Sequence, residues 1–454
     1  MKSIKVNLLL VSASFFSVNS FADYSLLKNQ DTNINLFGTI DVAYGTVSNS
    51  LPPNQNSPTS IMPWVTSGIK DYGSLSGRQT DFFNGGLSTS SIGVKGDFNI
   101  NNDSNVFFKF DSAINPISMK LTSQAHSEAM NGGLKTPTSA YATSSLNGET
   151  FARESYFGFS NKNWGTISVG RNNNFILDVM NNYAPLNKAN LLTPFGNGVL
   201  GGGGGISENA RLENSIKYIN NAGKYNYGIE YTTGNGGGTL FGLGKSGQYG
   251  GEGGAINFGY TDDKFSTQFV AETFKSLLKT APAAALSNSN NPLHYNMIAL
   301  TAYDQNAFLL AFKYKATENL KVQAGLEKMK LSSANSNLSS ITTIYNESVS
   351  GGATNYTGSD QNFSVKYVGA DYNINQNWNV GLSVTFVNMG NWSSPTASFL
   401  GGDLNSHTLL LINHYNKDTD IYTGVLNTKY SGLAFATSYI NSETVYAAGV
   451  RYKF

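Results

Sequence analysis

The final ten residues, VYAAGVRYKF, restrict the fold more than any other stretch of this chain. Side chains alternate across an extended strand with a period of two. Tyr446, Ala448, Val450, Tyr452 and Phe454 therefore share one face, and Ala447, Gly449, Arg451 and Lys453 share the other. One face is apolar or aromatic and the other small or charged, and the stretch ends on an aromatic rather than a polar tail. A strand greasy outside and polar inside is what closing a barrel within a bilayer requires. Tyr452 and Phe454 are accordingly expected to act as a C-terminal membrane-insertion signal, with lipid and the barrel-assembly machinery as partners.

The other end predicts export. Lys2 and Lys5 precede the apolar run VNLLLVSASFFSV, and Ser20-Phe21-Ala22 supplies a small-x-small cleavage site. Residues 1–22 are read as a signal peptide and 23–454 as one β-barrel domain of the cell outer membrane. The chain contains no cysteine, which excludes a disulfide scaffold, a thiol nucleophile and a Cys-ligated metal. Thirty bases face 29 acids, and two of those bases fall in the leader, so nothing points to nucleic acid. Glycine (48), Tyr (25) and Phe (27) are abundant while only 13% of residues are charged, with mean hydropathy −0.23. Past the leader no apolar run approaches the ~18 residues of a membrane helix. Such a composition suits a barrel, in which only alternate residues meet lipid.

The chain between these ends repeats the alternating pattern in hairpins. In NINLFGTIDVAY, Ile34, Leu36, Ile40, Val42 and Tyr44 share a face opposite Asn35, Thr39 and Asp41. A long Pro/Ser/Asn/Gly segment then runs to about residue 88. TSSIGVKGDFNI turns at Asn101-Asn102-Asp103-Ser104 into NVFFKFDSA, and a turn at Asn163-Trp164-Gly165 joins FARESYFGFSNK to TISVGR. Later hairpins follow the same scheme, short turns alternating with long polar loops. The count is 16 strands of roughly 9–11 residues or more, with 18 as the alternative if HYNMIALTAYD at 294–304 is a further strand. The fold class is all-β: a transmembrane antiparallel β-barrel. A semi-apolar, Gly-rich segment over roughly 172–210 is out of character for a solvated loop and is expected to fold inward, because a barrel of this size leaves an aqueous lumen.

Taken in order, NLFGTIDVAY, SSIGVKGD, RESYFGFSNKNWGTISVGR, PFGNG, RLENSIKY and GVRYKF resemble the general trimeric bacterial porins over nearly the whole chain past the leader. The resemblance implies a homotrimer of 16-stranded barrels in Gram-negative bacteria. It also implies that the third loop folds inward as the eyelet of a diffusion pore for ions and small hydrophilic solutes, with wall bases facing loop acids. By position, the wall bases are Arg153, Arg171 and Arg211. Alternation independently turns Arg211, Glu213, Ser215 and Lys217 inward and Leu212, Ile216 and Tyr218 outward, and it turns Lys95 inward. In the loop, Asp178, Lys188, Pro194, Phe195, Gly196 and Glu208 occupy the eyelet positions.

Two departures stand out. Enterobacterial porins carry a wall Arg where this chain has Ser91 and a Lys where it has Thr39. Their Pro-Glu-Phe-Gly-Gly-Asp loop motif here reads Pro194-Phe195-Gly196-Asn197, without its acids. Rings of bases favour anions, so a weak anion preference is expected, offset by the inward acids Asp41, Asp111 and Glu213. The alternative is a channel dedicated to one solute class, a sugar or an anionic nutrient. TLFGLGKS at 239–246 imitates a phosphate loop, but Thr239 holds the first glycine position. No nucleophile motif surrounds His126, His294, His407 or His414, so no enzyme, metal or cofactor is expected. His407 is taken to begin a strand and His414 to lie mid-strand, on opposite faces.

Overall fold

The computed structural model describes residues 23–50, 77–117, 119–121, 151, 153–194, 211–233, 252–275, 303–333, 343–344, 347–348, 359–393, 398–399, 402–432 and 442–454. Sixteen strands cross in a closed antiparallel ring. They are β1 (Thr32–Ser50), β2 (Gly77–Asn84 continued by Ser91–Asn101), β3 (Ser104–Asn115), β4 (Glu154–Asn161), β5 (Gly165–Asn173), β6 (Arg211–Ala222), β7 (Tyr225–Thr232) and β8 (Gly253–Thr261). They continue as β9 (Phe265–Phe274), β10 (Tyr303–Lys315), β11 (Leu320–Ser333), β12 (Gln361–Asn373), β13 (Trp378–Met389), β14 (Gly402–His414), β15 (Thr419–Gly432) and β16 (Ser442–Lys453). The seam closes where β16 pairs with β1 from Thr39↔Lys453 to Ser50↔Ser442. Phe454 completes it, donating to the Gly38 carbonyl at 3.0 Å. Tyr24–Lys28 forms a short leading strand that pairs with Asn33–Leu36 of β1.

Pairing decides the strand count. β9 bonds directly to β10 from Phe265↔Tyr314 onward, so no further strand fits between them. Residues 294–302 lie outside the described residues. The long segment expected to reach residue 88 is shorter, because GRQTDFFN is a strand whose Phe82 faces outward, 53% exposed. β14 begins at Gly402, so His407 sits mid-strand and His414 ends it, reversing the expected order; their opposite faces are as read.

The faces are inverted relative to a water-soluble sheet. In β7, Tyr225, Tyr227, Ile229 and Tyr231 are exposed while Asn226, Gly228, Glu230 and Thr232 are buried. A lipid-facing exterior makes this pattern stable, since apolar side chains gain nothing from facing the aqueous lumen. At one end the hairpins close on side-chain-capped turns. The Oδ1 atoms of Asn101, Asn161, Asp262, Asn375 and Asn416 each accept backbone N–H groups two or three residues on, at 2.8–3.1 Å. Asn and Asp make such turns because a short polar side chain mimics a backbone turn. The β6–β7 turn instead places Gly223 at φ 63°, where a Cβ would be strained.

Candidate pore constriction

The segment after β5 folds into the lumen. Asn174 caps helix α1 (Phe175–Tyr183), its Oδ1 accepting from Leu177 N at 2.7 Å and its Nδ2 donating to Glu272 at 3.1 Å. Phe175, Ile176, Leu177, Val179, Met180 and Tyr183 of α1 are all buried. The helix stops at Ala184 in extended conformation, as the residue before Pro185 must. Leu186 (φ 57°) and Asn187 (φ 49°) then turn the chain left-handed. The helix packs on β8–β11 and the following turn on β11–β13.

Inward glycines make room for this docking. A Cβ on Gly228 would meet the Phe175 ring, and one on Gly369 would meet Pro185 and the Leu382 carbonyl. Each fully buried aliphatic or aromatic side chain contributes roughly 1.5–3 kcal/mol, which keeps this loop inside a water-filled lumen. The loop's far part joins Ala43, Val47, Phe83, Leu87, Leu410, Ile412, Tyr422, Leu426, Val445 and Ala447 of the wall in one apolar cluster.

Charge at the root of the loop is held locally. Lys217 Nζ meets Asp178 at 2.5 Å, donates to the Asn173 carbonyl at 2.7 Å, lies 3.9 Å from Glu230 and stands 4.4 Å over the Phe175 ring. Asp178 also accepts from Asn173 Nδ2 at 3.2 Å and lies in the first turn of α1, where a carboxylate favours the helix dipole. This acid is therefore tied to its own side of the lumen.

The wall from β2 to β6 carries a second group of charges. Lys109 pairs with Glu154 at 2.5 Å, and Arg153 Nε lies 3.4 Å from Asp111. Arg211 lies within electrostatic reach of Arg153, Arg171, Glu154 and Asp111. This cluster holds four bases and two acids. Arg153 precedes β4 rather than continuing it: its N–H bonds the Asp111 carbonyl at 3.1 Å, and Glu154, the first residue of β4, shares the face of buried Tyr156. Lys95 is inward, paired with Asp23 at 2.7 Å and 5.3 Å over the Phe37 ring.

One expectation on β6 fails. Leu212, read as lipid-facing, is 4% exposed and stands opposite Asn172. A bulge resets the alternation: Glu213 and Asn214 oppose Arg171, with Asn214 at φ 47°. Past the bulge Ser215 and Lys217 are buried and Ile216 is 43% exposed. Asp41 does not border open lumen, being 0% exposed. Pro194 is buried. Phe195, Gly196, Glu208, the glycines 201–205, residues 239–246, His126, His294 and the leader lie outside the described residues, as do the side chains of Lys188 and Glu213.

Several lumen groups escaped the sequence reading. Glu230, Glu272 and Glu327 are each under 5% exposed on β7, β9 and β11, and Glu272 interacts electrostatically with both others. Gln305 donates to Glu272 at 3.1 Å, and Lys313 stands 4.8 Å over the Tyr183 ring of the loop. Alternation was the available signal, since each falls at an inward position among outward Ile, Phe and Leu.

A closed 16-stranded barrel with an inward loop and a charged lumen wall is the architecture of a pore, and sequence comparison identifies it. A family profile described as Gram-negative porin matches residues 9–433. The chain belongs to the Gram-negative porin family. No curated protein matches the sequence. Among solved structures, the "Anion-selective porin from Comamonas acidovorans" matches with TM-score 0.59 at 15% identity, covering 93% of this chain and 100% of that one. OmpT of Vibrio cholerae matches with TM-score 0.56 at 11% identity (94% and 99% covered). OmpF of Salmonella typhi matches with TM-score 0.52 at 16% identity (94% and 99% covered). At these identities the likeness shows the fold. Family and fold make the chain an outer-membrane channel for small solutes rather than an enzyme.

Proposed function

We propose that this porin passes ions and small hydrophilic solutes with a weak preference for anions. The observation that carries this reading is the imbalance across the lumen. Four bases (Lys109, Arg153, Arg171, Arg211) gather with two acids (Asp111, Glu154) on one wall, while the loop's Asp178 is bound to Lys217. A local surplus of fixed positive charge on this wall raises the anion concentration beside it, whereas Glu230, Glu272 and Glu327 are each under 5% exposed. Arg153, Arg171, Arg211 and Lys95 are thus assigned to the permeation wall, and Lys217 and Asp178 to fastening the loop. The neighbour from Comamonas acidovorans, itself anion-selective, is compatible with this assignment.

We further propose a homotrimer, cleavage after Ala22 and a membrane-insertion role for Tyr452 and Phe454. An outward aromatic group on β2–β4 supplies a lipid or subunit contact: Phe108 lies 6.1 Å from Phe98 and 6.3 Å from Phe157, and Phe110 lies 5.4 Å from Phe157. One neighbour, OmpT of Vibrio cholerae, is described in a trimer form.

The test is planar-bilayer conductance with reversal potentials in a KCl gradient. Conductance steps in threes with an anion-leaning potential are expected. A cation-leaning potential overturns the charge assignment, and small steps blocked by a single solute favour a dedicated channel.

A further inference from the structure

β2 is broken over residues 85–90, and the break is organised around one carboxylate. Asp41 of β1 is fully buried, and its Oδ1 accepts from Gly86 N at 3.0 Å and Tyr422 Oη at 2.5 Å. Its Oδ2 accepts from Leu87 N at 2.8 Å, Ser88 N at 2.7 Å and Ser88 Oγ at 3.3 Å. The backbone of the same residue accepts from Gly85 N at 2.9 Å, and its N–H bonds Ser90 Oγ at 2.9 Å. Five donors on one side chain gather three consecutive backbone N–H groups, so the carbonyls of this turn point away from Asp41. The far end of the inward loop uses those carbonyls: Leu191 N donates to Gly86 O at 3.0 Å and Asn190 N to Leu87 O at 3.3 Å. Leu87, Leu191 and Leu192 then close the apolar cluster around this join.

We propose that Asp41 is a positioning residue for the pore: by shaping the 85–90 break into a dock, it fixes the far end of the inward loop and thereby the aperture. The root is fastened by Lys217–Asp178 and the far end by Asp41 acting through Gly86–Ser88. Hydrogen bonds to a carboxylate are roughly twice as strong as neutral ones, and only an anion accepts from all five donors without turning a donor of its own toward them. Asn at this position keeps the shape but places an NH2 against backbone N–H groups. The inference rests on the channel reading above, and its test separates the two.

Single-channel currents of the wild type, Asp41→Asn and Tyr422→Phe are recorded in planar bilayers, with barrel assembly checked by heat-modifiable gel migration. Asp41→Asn is expected to raise open-channel noise several-fold and broaden the conductance distribution, and Tyr422→Phe, which removes one donor, to do so less. The chain has no cysteine, so Leu87→Cys with Asn190→Cys can tether loop to break under oxidation. Oxidising that pair in the Asp41→Asn background is expected to restore quiet openings, and reduction to abolish the rescue. Assembled Asp41→Asn channels as quiet as wild type, or noise that the tether leaves unchanged, overturn the proposal. If Asp41→Asn fails to assemble, Tyr422→Phe with and without the tether decides by the same criteria. A wild type that forms no channel defeats the porin reading instead.

Discussion

The two halves of the lumen are built on opposite principles. From β7 round to β1, the wall is covered by the inward loop and closed by an apolar cluster, and Gly228, Gly369, Gly381 and Gly424 leave room for loop side chains. Away from that packing, β3, β4, β5 and the start of β6 hold ionised side chains in contact with each other. The first half spends its chemistry on position, the second on field. The difference teaches that an aqueous pore inside a barrel is made by filling part of it, because a sixteen-stranded ring alone is too wide to act on small ions.

Substitutions that blur this contrast should have the largest effects. Lys217→Ala leaves Asp178 and Glu230 without their shared cation, and removing one partner of a buried pair costs about 3–5 kcal/mol. The expected outcome is a lower thermal midpoint in detergent and an unsteady current. A channel as stable and quiet as wild type would show that the root of the loop needs no charge. Leu192→Ala removes a fully buried side chain from the packed half, a change that costs about 2–5 kcal/mol in cores. It should loosen the loop without changing reversal potential, and a shift in selectivity would contradict the division of labour.

Charge exchange on the charged wall should do the reverse. Arg211→Glu is expected to move the reversal potential toward cations with little change in stability. Two unit charges ~8 Å apart interact by about 0.5–2 kcal/mol at effective dielectrics between water and the protein surface, enough for a several-fold change in the permeability ratio. An unchanged potential would remove Arg211 from the permeation wall.

The smallest effect lies far from both halves. The N–H groups of Phe265 and Lys264 hold the Asp262 carboxylate, in the β8–β9 turn, below its ordinary value of 3.8. A lowered value means the turn is favoured above pH 3.8 and loses that contribution as pH falls through its own titration. Solution NMR should find Asp262 titrating below 3.8, with conductance at neutral pH unaffected by Asp262→Asn, which keeps the accepting oxygen.

The residues made the barrel legible for a local reason. Lipid on one face and water on the other force a period of two that needs no knowledge of distant residues, and the strands and capped turns follow from it. Where the backbone departs from that period, the pattern misleads. The bulge at Glu213–Asn214 buries Leu212, and Gly77–Asn84 is a strand inside what reads as a loop. Asp178 shows the same limit in the site. Its presence in the loop was visible, whereas its bond to Lys217 depends on where α1 comes to rest.

The sequence by itself therefore determined the fold class, the direction of most side chains and the family, and narrowed the strand number to 16 or 18, between which pairing decides. The tertiary structure alone decided which lumen charges are matched, which half is filled, and that Asp41 sits beneath the loop's far end. The physical reason is range: alternation is set between neighbours, but Asp41 and Tyr422 are brought together only when the ring closes, and the loop can be placed only once there is a lumen to enter.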